Sequence, residues 1–326
     1  MKKFSFLAGA IALGISTLSW TDTYAANDYP NQAIRAVVPF PAGGINDTVG
    51  RLVFDKLAAT LGSEVVVLNR PGAGGMIGTK SAVDSAPDGY TVLLGAASTI
   101  AVAPNLYKNA KYRPEKDLIA VGGIASVASV MVVPANSPFH SLADALAAAR
   151  SKPGTVNYGS AGAGTSHHVQ TELLALQTGV KMLHIPYKGG APAMTDLIGG
   201  QIQLLLEPLP TAVPNIKAER VRALGVTVRE RSPLLPNVPT FIEAGIKDYS
   251  ASTWFGLFVP AATPATIVDK LSQALAKTLA DPALKAELQG RGIEPMSMPS
   301  AEFAKFVAGE DKVWSEVIQK AKLQVQ

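Results

Sequence analysis

Two segments of this sequence predict the same local structure: an apolar strand, a short glycine-rich turn and then a helix. In the first, IRAVVPF is followed by PAGGIND over residues 34–47, and in the second, VNYG is followed by SAGAGTSHH over residues 156–168. Such a turn can aim several unpaired backbone N–H groups at one point, and the next helix adds its own free N–H groups and positive dipole end. Each turn is a candidate anion site that needs no charged side chain. Two such turns, far apart in the chain, indicate two lobes that grip one small anion.

Length and composition limit the class of protein. The chain has 326 residues, which is more than one hydrophobic core usually holds, so two domains are expected. Hydrophobic residues make up 48% and charged residues 17%, which indicates a compact folded protein. The net charge of +4 comes without a basic run or aromatic–basic interleaving, so we predict no nucleic-acid partner. Cysteine is absent, which excludes disulfides, and no zinc-type spacing occurs, so we predict no metal and no cofactor.

The N-terminus has the pattern of a secretory signal peptide. A basic start at residues 1–3 precedes an apolar run over residues 4–20 and small residues that allow cleavage after Ala25, with Ala26 as the alternative. An uncleaved membrane anchor is the competing interpretation. The apolar run is short for a span of ~20 residues and Asp22 follows at once, so a cleaved signal peptide over residues 1–25 is favoured.

Strand and helix patterns alternate through most of the chain, which is typical of an α/β fold with a mostly parallel sheet flanked by helices. Strands are predicted at 34–40, 64–68, 91–95, 130–134, 156–158, 182–187, 202–206 and 223–227. Helices are predicted to begin near Asp47, Gly75, Ser141, Thr165, Ala191, Pro239, Pro264, Pro282 and Ser300, and little strand signal follows residue 259.

Two apolar segments, residues 121–134 and 250–260, are predicted to cross between the lobes. Residues 26–127 and 252–326 then form a discontinuous first lobe, and residues 128–251 form the second. Two adjacent crossing strands with a cleft between lobes are typical of a hinge-closing binding protein. Both glycine-rich turns follow the carboxyl ends of strands, where open α/β sheets bind ligands.

Six motifs in register identify a family that this chain resembles. They are YPNQAIRAVVPFPAGGINDTVGRLV, VLNRPGAGGMIGT, APDGYTVLLG, VNYGSAGAGTSHHVQTELL, IPYKGGAPAMTDLIGGQI and PNVPTFIEAG. The chain resembles the substrate-binding proteins of tripartite tricarboxylate transporters, the Bug or TctC family of periplasmic receptors. The resemblance implies a two-lobed Venus-flytrap fold in the periplasm of a Gram-negative bacterium. It also implies no catalysis and a carboxylate ligand held between the two turns, partly through ordered water.

The resemblance implies a set of ligand-binding residues and partners. In the first turn the backbone of Phe40, Pro41, Ala42, Gly43 and Gly44 would face the carboxylate, with Asp47 bracing the turn. The remaining implied contacts are Ser98, Thr99, Ser160, Ala161, Gly164, Thr165, His168 and Glu207. The implied partners of this monomeric receptor are integral membrane transporter subunits and a small carboxylate. The ligand could be a di- or tricarboxylate, an acidic amino acid or an aromatic carboxylate.

Several of these residues have a simpler structural interpretation. Asp47 could simply cap the first helix, with or without a role towards the ligand, and His168 could be a packing residue. His167 is expected on a solvated face of the same helix, and neighbours on a helix diverge by ~100°, so the two histidines make a poor metal site. Glu207 stands where relatives carry Asp, which leaves the ligand's distal end open; an ionised Glu207 facing the cleft would disfavour a second carboxylate there.

Other motifs in the sequence allow interpretations besides a receptor. The segment RPGAGGMIG is a near miss for a dinucleotide fingerprint and is interpreted as packing in the first lobe. Trp254 could stack on a ligand ring or fill the hinge, and the second interpretation is favoured. Ser160, His168 and a carboxylate could form a hydrolytic triad, but Tyr158 stands where a nucleophile elbow needs glycine. A binding protein that serves a membrane sensor kinase also fits this sequence.

Overall fold

The computed structural model describes residues 29–323, so the predicted signal peptide lies outside the described residues. The strands are β1 Ile34–Val38, β2 Val65–Asn69, β3 Thr91–Ala96, β4 Leu118–Pro134, β5 Asn157–Ser160, β6 Leu183–Pro186, β7 Leu204–Pro208, β8 Val221–Val226, β9 Ser252–Pro260 and β10 Ile293–Pro295. The helices are α1 Ile45–Leu61, α2 Met76–Val83, α3 Ala103–Leu106, α4 Pro114–Asp117, α5 Leu142–Ser151, α6 Ser166–Thr178, α7 Gly190–Ile198, α8 Leu209–Lys217, α9 Ala265–Leu279, α10 Pro282–Gly290 and α11 Ser300–Lys320. A 3₁₀ turn, Ala73–Gly75, precedes α2, and a π-helical turn, Ser98–Val102, follows β3.

The strands form two sheets that share the long strand β4. In the first sheet β1 pairs in parallel with β2 and β3, and β9 runs antiparallel between β3 and the first part of β4. In the second sheet β5 pairs in parallel with β6 and β7, while β7 and β8 run antiparallel to the last part of β4. The partner of β4 changes between Ala128, which faces Ser252, and Ser129, which faces Pro208.

Each sheet has its own buried apolar cluster. Phe54 on α1, Leu94 on β3 and Leu271 on α9 pack on the first sheet, while Tyr158 on β5 and Phe241 pack on the second. Helix α9 shows why these sequences form helices: it buries Val268, Leu271, Leu275 and Leu279 at i, i+3, i+7 and i+11, a single apolar stripe. Burying one such side chain contributes about 1.5–3 kcal/mol.

Aromatic side chains pack where β9 meets α11. Trp254 on β9 is 1% exposed and packs edge-on against Phe303 and Phe306 of α11. Its indole N–H donates to Glu310 Oε2 at 2.9 Å, and the Trp314 indole donates to the same oxygen at 3.1 Å. Trp254 is therefore a packing residue between β9 and α11.

The helix predicted near Pro239 is wrong. Thr240 and Glu243 do exchange the two hydrogen bonds of a capping box, Thr240 N–H to Glu243 Oε2 and Glu243 N–H to Thr240 Oγ1. The chain then makes a single turn rather than a helix, and this turn ends at Gly245, which has φ +93°. Thr240 instead pairs with Val226 beside the second sheet.

Four elements were not predicted: the short helices α3 and α4, helix α8 and strand β10. Helix α8 contains Pro210 and Pro214, a residue type that usually interrupts helices, but Pro210 lies in the first turn, where its missing N–H costs nothing. Strand β10 is only three residues long and pairs with residues 125–127 of β4, so the expectation of little strand after residue 259 needs this correction.

Candidate functional site: two glycine-rich loops

The first loop, residues 40–44, connects β1 to α1 and is braced from inside the helix. Asp47 is the third residue of α1, and its carboxylate accepts hydrogen bonds from the Gly43 N–H at 2.9 Å and from Asn69 Nδ2 at 2.9 Å. Arg51 Nε donates to the same carboxylate at 2.9 Å. Gly44, not Asp47, occupies the N-cap position, so Asp47 ties the loop to α1 rather than capping the helix.

The charge on Asp47 is stabilised by these donors. Burial alone would raise the pKa of this carboxyl group, but the hydrogen bonds from Arg51, Gly43 and Asn69 outweigh it and lower the pKa below its usual value. These donors therefore keep Asp47 ionised, although its side chain lies in a nearly closed environment where the residue is only 5% exposed.

The first loop keeps a smaller set of free donors than its sequence suggests. The Gly43 N–H is used by Asp47. The N–H groups of Ala42 and Gly44 bond to no other described residue, and those of Ile45 and Asn46 belong to the first helical turn, which has no intrahelical acceptor for them. The buried Asn46 Oδ1 also has no partner among the described residues.

The second loop, residues 161–165, connects β5 to α6 and is held by three side chains. Ser160 Oγ accepts from the Gly162 N–H at 3.1 Å, and His168 Nδ1 accepts from the Gly164 N–H at 3.1 Å. The Thr165 hydroxyl donates to the Gly162 carbonyl at 2.6 Å and makes no cap bond to α6. The N–H groups that bond to no other described residue are those of Ala161, Ala163, Ser166 and His167.

A stack of three rings supports the second loop. His184 on β6 lies 4.0 Å from His168 and 5.0 Å from Tyr158, measured between ring centroids. Burial lowers the pKa of His168 to about 3 and that of His184 to about 4, so both imidazoles are neutral near pH 7. Because His168 Nδ1 accepts the Gly164 N–H, its proton is assigned to Nε2, which leaves one ring donor for another group.

Ser98 and Thr99, which the resemblance implies as ligand contacts, lie in the turn after β3, and this turn mostly faces inward. The Thr99 side chain is fully buried and bonds to the backbone N–H and carbonyl of Ala96, while the Thr99 carbonyl accepts from the Tyr112 hydroxyl at 2.7 Å. Thr99 therefore closes the turn after β3. Ser98 is 6% exposed and begins the π-helical turn.

The glycine segment 72–75 lies between the two predicted loops. The interpretation of this segment as packing in the first lobe did not include its contact with the second loop. A β-carbon on Gly75 would lie 3.0 Å from Cζ of Phe40 and 2.6 Å from Cγ2 of Thr99. A β-carbon on Gly74 would lie 3.3 Å from the carbonyl oxygen of Ala163. The segment thus lies against both glycine-rich loops and the turn after β3. Its run of glycines is the sequence signal that could have indicated this position.

Glu207 and His167 form a buried pair at the end of β7. His167 Nε2 lies 3.1 Å from Glu207 Oε2, and the Thr211 hydroxyl donates to Oε1. His167 is 6% exposed, so the expectation that it is solvated is wrong; the helix turns it into the second lobe rather than toward water. Its Nδ1 has no partner among the described residues, and a β-carbon on Gly190 would press within 3.5 Å of both side chains.

The two neighbouring histidines of α6 do not share a partner. His167 and His168 point to different partners, Glu207 and Gly164, and residues 29–323 contain no group of three potential metal ligands. None of the helices in this part of the chain combines the length and hydropathy needed to cross a bilayer. A cavity of about 180 Å³ lies away from the loops, between α9 and β4, beside Gly122 and Met298.

Comparison with known proteins places the chain in a family. The profile of the tripartite tricarboxylate transporter family receptor matches residues 49–323. BugT of Bordetella pertussis is 34% identical over 96% of this chain and 97% of its own length. The periplasmic binding protein BugD has a solved structure with TM-score 0.85 and 34% identity, covering 91% of this chain and 100% of BugD.

Two further solved structures contain a ligand. An R. palustris protein with adipate has TM-score 0.87 and 33% identity, covering 91% of this chain and 99% of that protein. MatC of Rhodopseudomonas palustris with bound malate has TM-score 0.83 and 30% identity, covering 89% of this chain and 100% of MatC. These matches confirm the two-lobed α/β binding-protein fold predicted from the motifs. The chain belongs to the tripartite tricarboxylate transporter receptor family, the TctC or Bug periplasmic solute-binding proteins.

Proposed function

We propose that this protein captures a small carboxylate between its first and second loops and delivers it to the membrane subunits of a tripartite tricarboxylate transporter. It is exported by a signal peptide at residues 1–25 and acts as a monomer without catalysis. The first lobe comprises residues 26–127 and 252–326, and residues 128–251 form the second. The observation that carries the proposal is the set of free backbone N–H groups on both loops, at Ala42, Gly44, Ala161 and Ala163.

Backbone donors suffice for this task. The two loops contain no Lys or Arg, so neutral groups must compensate the anion. Desolvating a carboxylate costs several kcal/mol, and each charge-assisted hydrogen bond returns about 1.5–3 kcal/mol. Four or five converging donors therefore reach micromolar affinity, which corresponds to about −8 kcal/mol. The relatives solved with adipate and malate support a carboxylate ligand here.

The Glu207 pair narrows the ligand class. Both Glu207 oxygens already have donors, from His167 and Thr211, so the carboxylate is compensated within the protein. A ligand cation is not required for charge balance at this position. A ligand with a second carboxylate beside Glu207 is disfavoured, because it would compete for the same donors.

The hydrolase alternative has one observation in its favour, a 2.6 Å contact between Ser160 Oγ and His184 Nε2. Three facts weigh against it. Ser160 is fully buried, its oxygen also accepts the Gly162 N–H, and His184 is stacked between Tyr158 and His168. The serine hydroxyl therefore stabilises the start of the second loop and cannot reach an ester in this arrangement.

The test is calorimetry of the purified mature protein against malate, adipate, citrate, an acidic amino acid and benzene dicarboxylates, beside an ester-hydrolysis assay. We expect micromolar or tighter binding of at least one acid and no hydrolysis above background. If none of these acids binds and the protein hydrolyses the ester measurably, the receptor proposal is overturned. Uptake of the bound acid by vesicles that contain the transporter subunits separates delivery to a transporter from service to a sensor kinase.

A further inference from the structure

A tyrosine from the first lobe contacts the tip of the second loop. Tyr107 follows α3, which packs with the first sheet, and its hydroxyl donates to the Ala163 carbonyl at 2.9 Å. Ala163 follows β5 of the second sheet, so this hydrogen bond joins the two halves of the molecule. Burial raises the pKa of the Tyr107 phenol, so the hydroxyl keeps its proton and acts as the donor.

Two glycines leave just enough space for this contact. A β-carbon on Gly74 would lie 3.3 Å from both the Ala163 carbonyl oxygen and the Tyr107 hydroxyl oxygen. A β-carbon on Gly164 would lie 3.3 Å from Cε2 of Tyr107 and 3.0 Å from Cδ2 of Leu106. Gly74 and Gly164 both have positive φ, +63° and +76°, so the close approach and the backbone conformation both favour glycine.

The peptide group between Ala163 and Gly164 is consequently held at both ends. Its carbonyl accepts from Tyr107, in the first lobe, and its N–H donates to His168 Nδ1, in the second. The free N–H groups of Ala161 and Ala163 lie within two residues of this fixed peptide. The direction in which these two N–H groups point therefore depends on how the peptide group between Ala163 and Gly164 is held.

We infer that Tyr107, with the glycine segment 72–75, forms an interlobe clasp that positions the second loop for its ligand. The functional part of this inference rests on the proposed function. A hydrogen bond made only when the lobes meet stabilises that form, and a ligand that binds the same form gains affinity by at most the same amount. Tyr107 is thus a positioning residue that acts through the loop.

The test compares Tyr107→Phe with wild type and with Tyr29→Phe as a matched control. Tyr29 also donates its hydroxyl to a backbone carbonyl, that of Gly89 at 2.8 Å, but within the first lobe. Losing one net hydrogen bond corresponds to about a two- to tenfold change. We expect Tyr107→Phe to raise the ligand dissociation rate by that factor with an unchanged association rate, whereas Tyr29→Phe leaves both unchanged.

Hydrogen exchange of the ligand-free protein tests the clasp without a ligand. We expect amides 161–165 to exchange faster in Tyr107→Phe than in wild type and at the wild-type rate in Tyr29→Phe. Unchanged exchange together with an unchanged dissociation rate would overturn the clasp. Faster exchange in a protein that binds none of the carboxylates would retain the clasp and overturn the proposed function, so the two failures are distinguishable.

Discussion

The Asp47 carboxylate allows a sharp test of how the first loop is held. Asp47→Asn keeps the size of the side chain and one acceptor oxygen, but it replaces the other oxygen with an N–H donor. That new donor faces groups that are themselves donors, the Gly43 N–H, Asn69 Nδ2 or Arg51 Nε. One of the present hydrogen bonds therefore becomes a donor–donor contact.

The magnitude follows from the partners. Losing one hydrogen bond to a charged group costs about 1.5–3 kcal/mol. The Arg51 side chain is 55% exposed, so its ion pair adds only about 0–1 kcal/mol. We expect the free energy of unfolding to fall by about 2–4 kcal/mol. A released loop must also be ordered again by the ligand, at about 1–2 kcal/mol per fixed residue, so binding should weaken roughly tenfold.

The assay is urea unfolding at pH 7 together with calorimetry of the bound carboxylate. Asp144→Asn is the matched control, because Asp144 is also the third residue of its helix, α5, and accepts the N–H groups of His140 and Ser141 at 2.9 Å. That carboxylate lies away from the loops, so its variant should leave ligand affinity unchanged. An Asp47→Asn protein with wild-type stability and affinity would refute the bracing role.

Three further predictions concern the second lobe. Burial depresses the pKa of His168 to about 3 and of His184 to about 4, whereas both protonate near 6.5 in the unfolded chain. Stability is therefore lost as pH falls below about 6.5, by about 2 kcal/mol for His168 at pH 5; a flat stability profile from urea unfolding at pH 7 and 5 would contradict this. His167→Ala leaves Glu207 buried without its partner, so unfolding should become easier by about 3–5 kcal/mol, and adding Glu207→Gln should restore part of this loss in the same assay. Thr165→Ala should lower the melting temperature of the ligand-free protein, because the hydroxyl bonds to a loop carbonyl, and Thr165→Ser should not.

The sequence predicted the fold where local signals and tertiary structure agree. The apolar runs that form β1 and β5 are followed by the predicted turns, and the motifs alone identify the family. Asp47 was predicted to brace the first loop, and its bond to Gly43 fits that role. The contacts of these residues with a ligand stay predictions.

The sequence could not show which side chains meet across strands. Ser160 bonds to His184 rather than to the nearby His168 because β5 and β6 pair in parallel with Tyr158 opposite His184. The His167–Glu207 pair likewise depends on how β7 and α6 pack. Such partners are set by sheet register, which the spacing of residues in the chain does not reveal.

The free N–H groups also had to come from the structure. Glycine-rich turns predict many unpaired donors, but the glycine donors of Gly43, Gly162 and Gly164 are occupied by Asp47, Ser160 and His168. Of the four loop donors left for a ligand, three belong to alanines that lie next to these glycines, Ala42, Ala161 and Ala163, and the fourth is the N–H of Gly44.

The most direct measurement of the central claim is a titration of the ¹⁵N-labelled protein with the bound carboxylate, followed by amide resonances. We predict saturable downfield shifts of the Ala42, Gly44, Ala161 and Ala163 amide protons, all with the dissociation constant found by calorimetry. Gly154, in an open turn away from both loops, should not shift. Saturable shifts confined to other residues, such as Gly122 and Gly123 beside the cavity at α9, with both loops unchanged, would contradict the account.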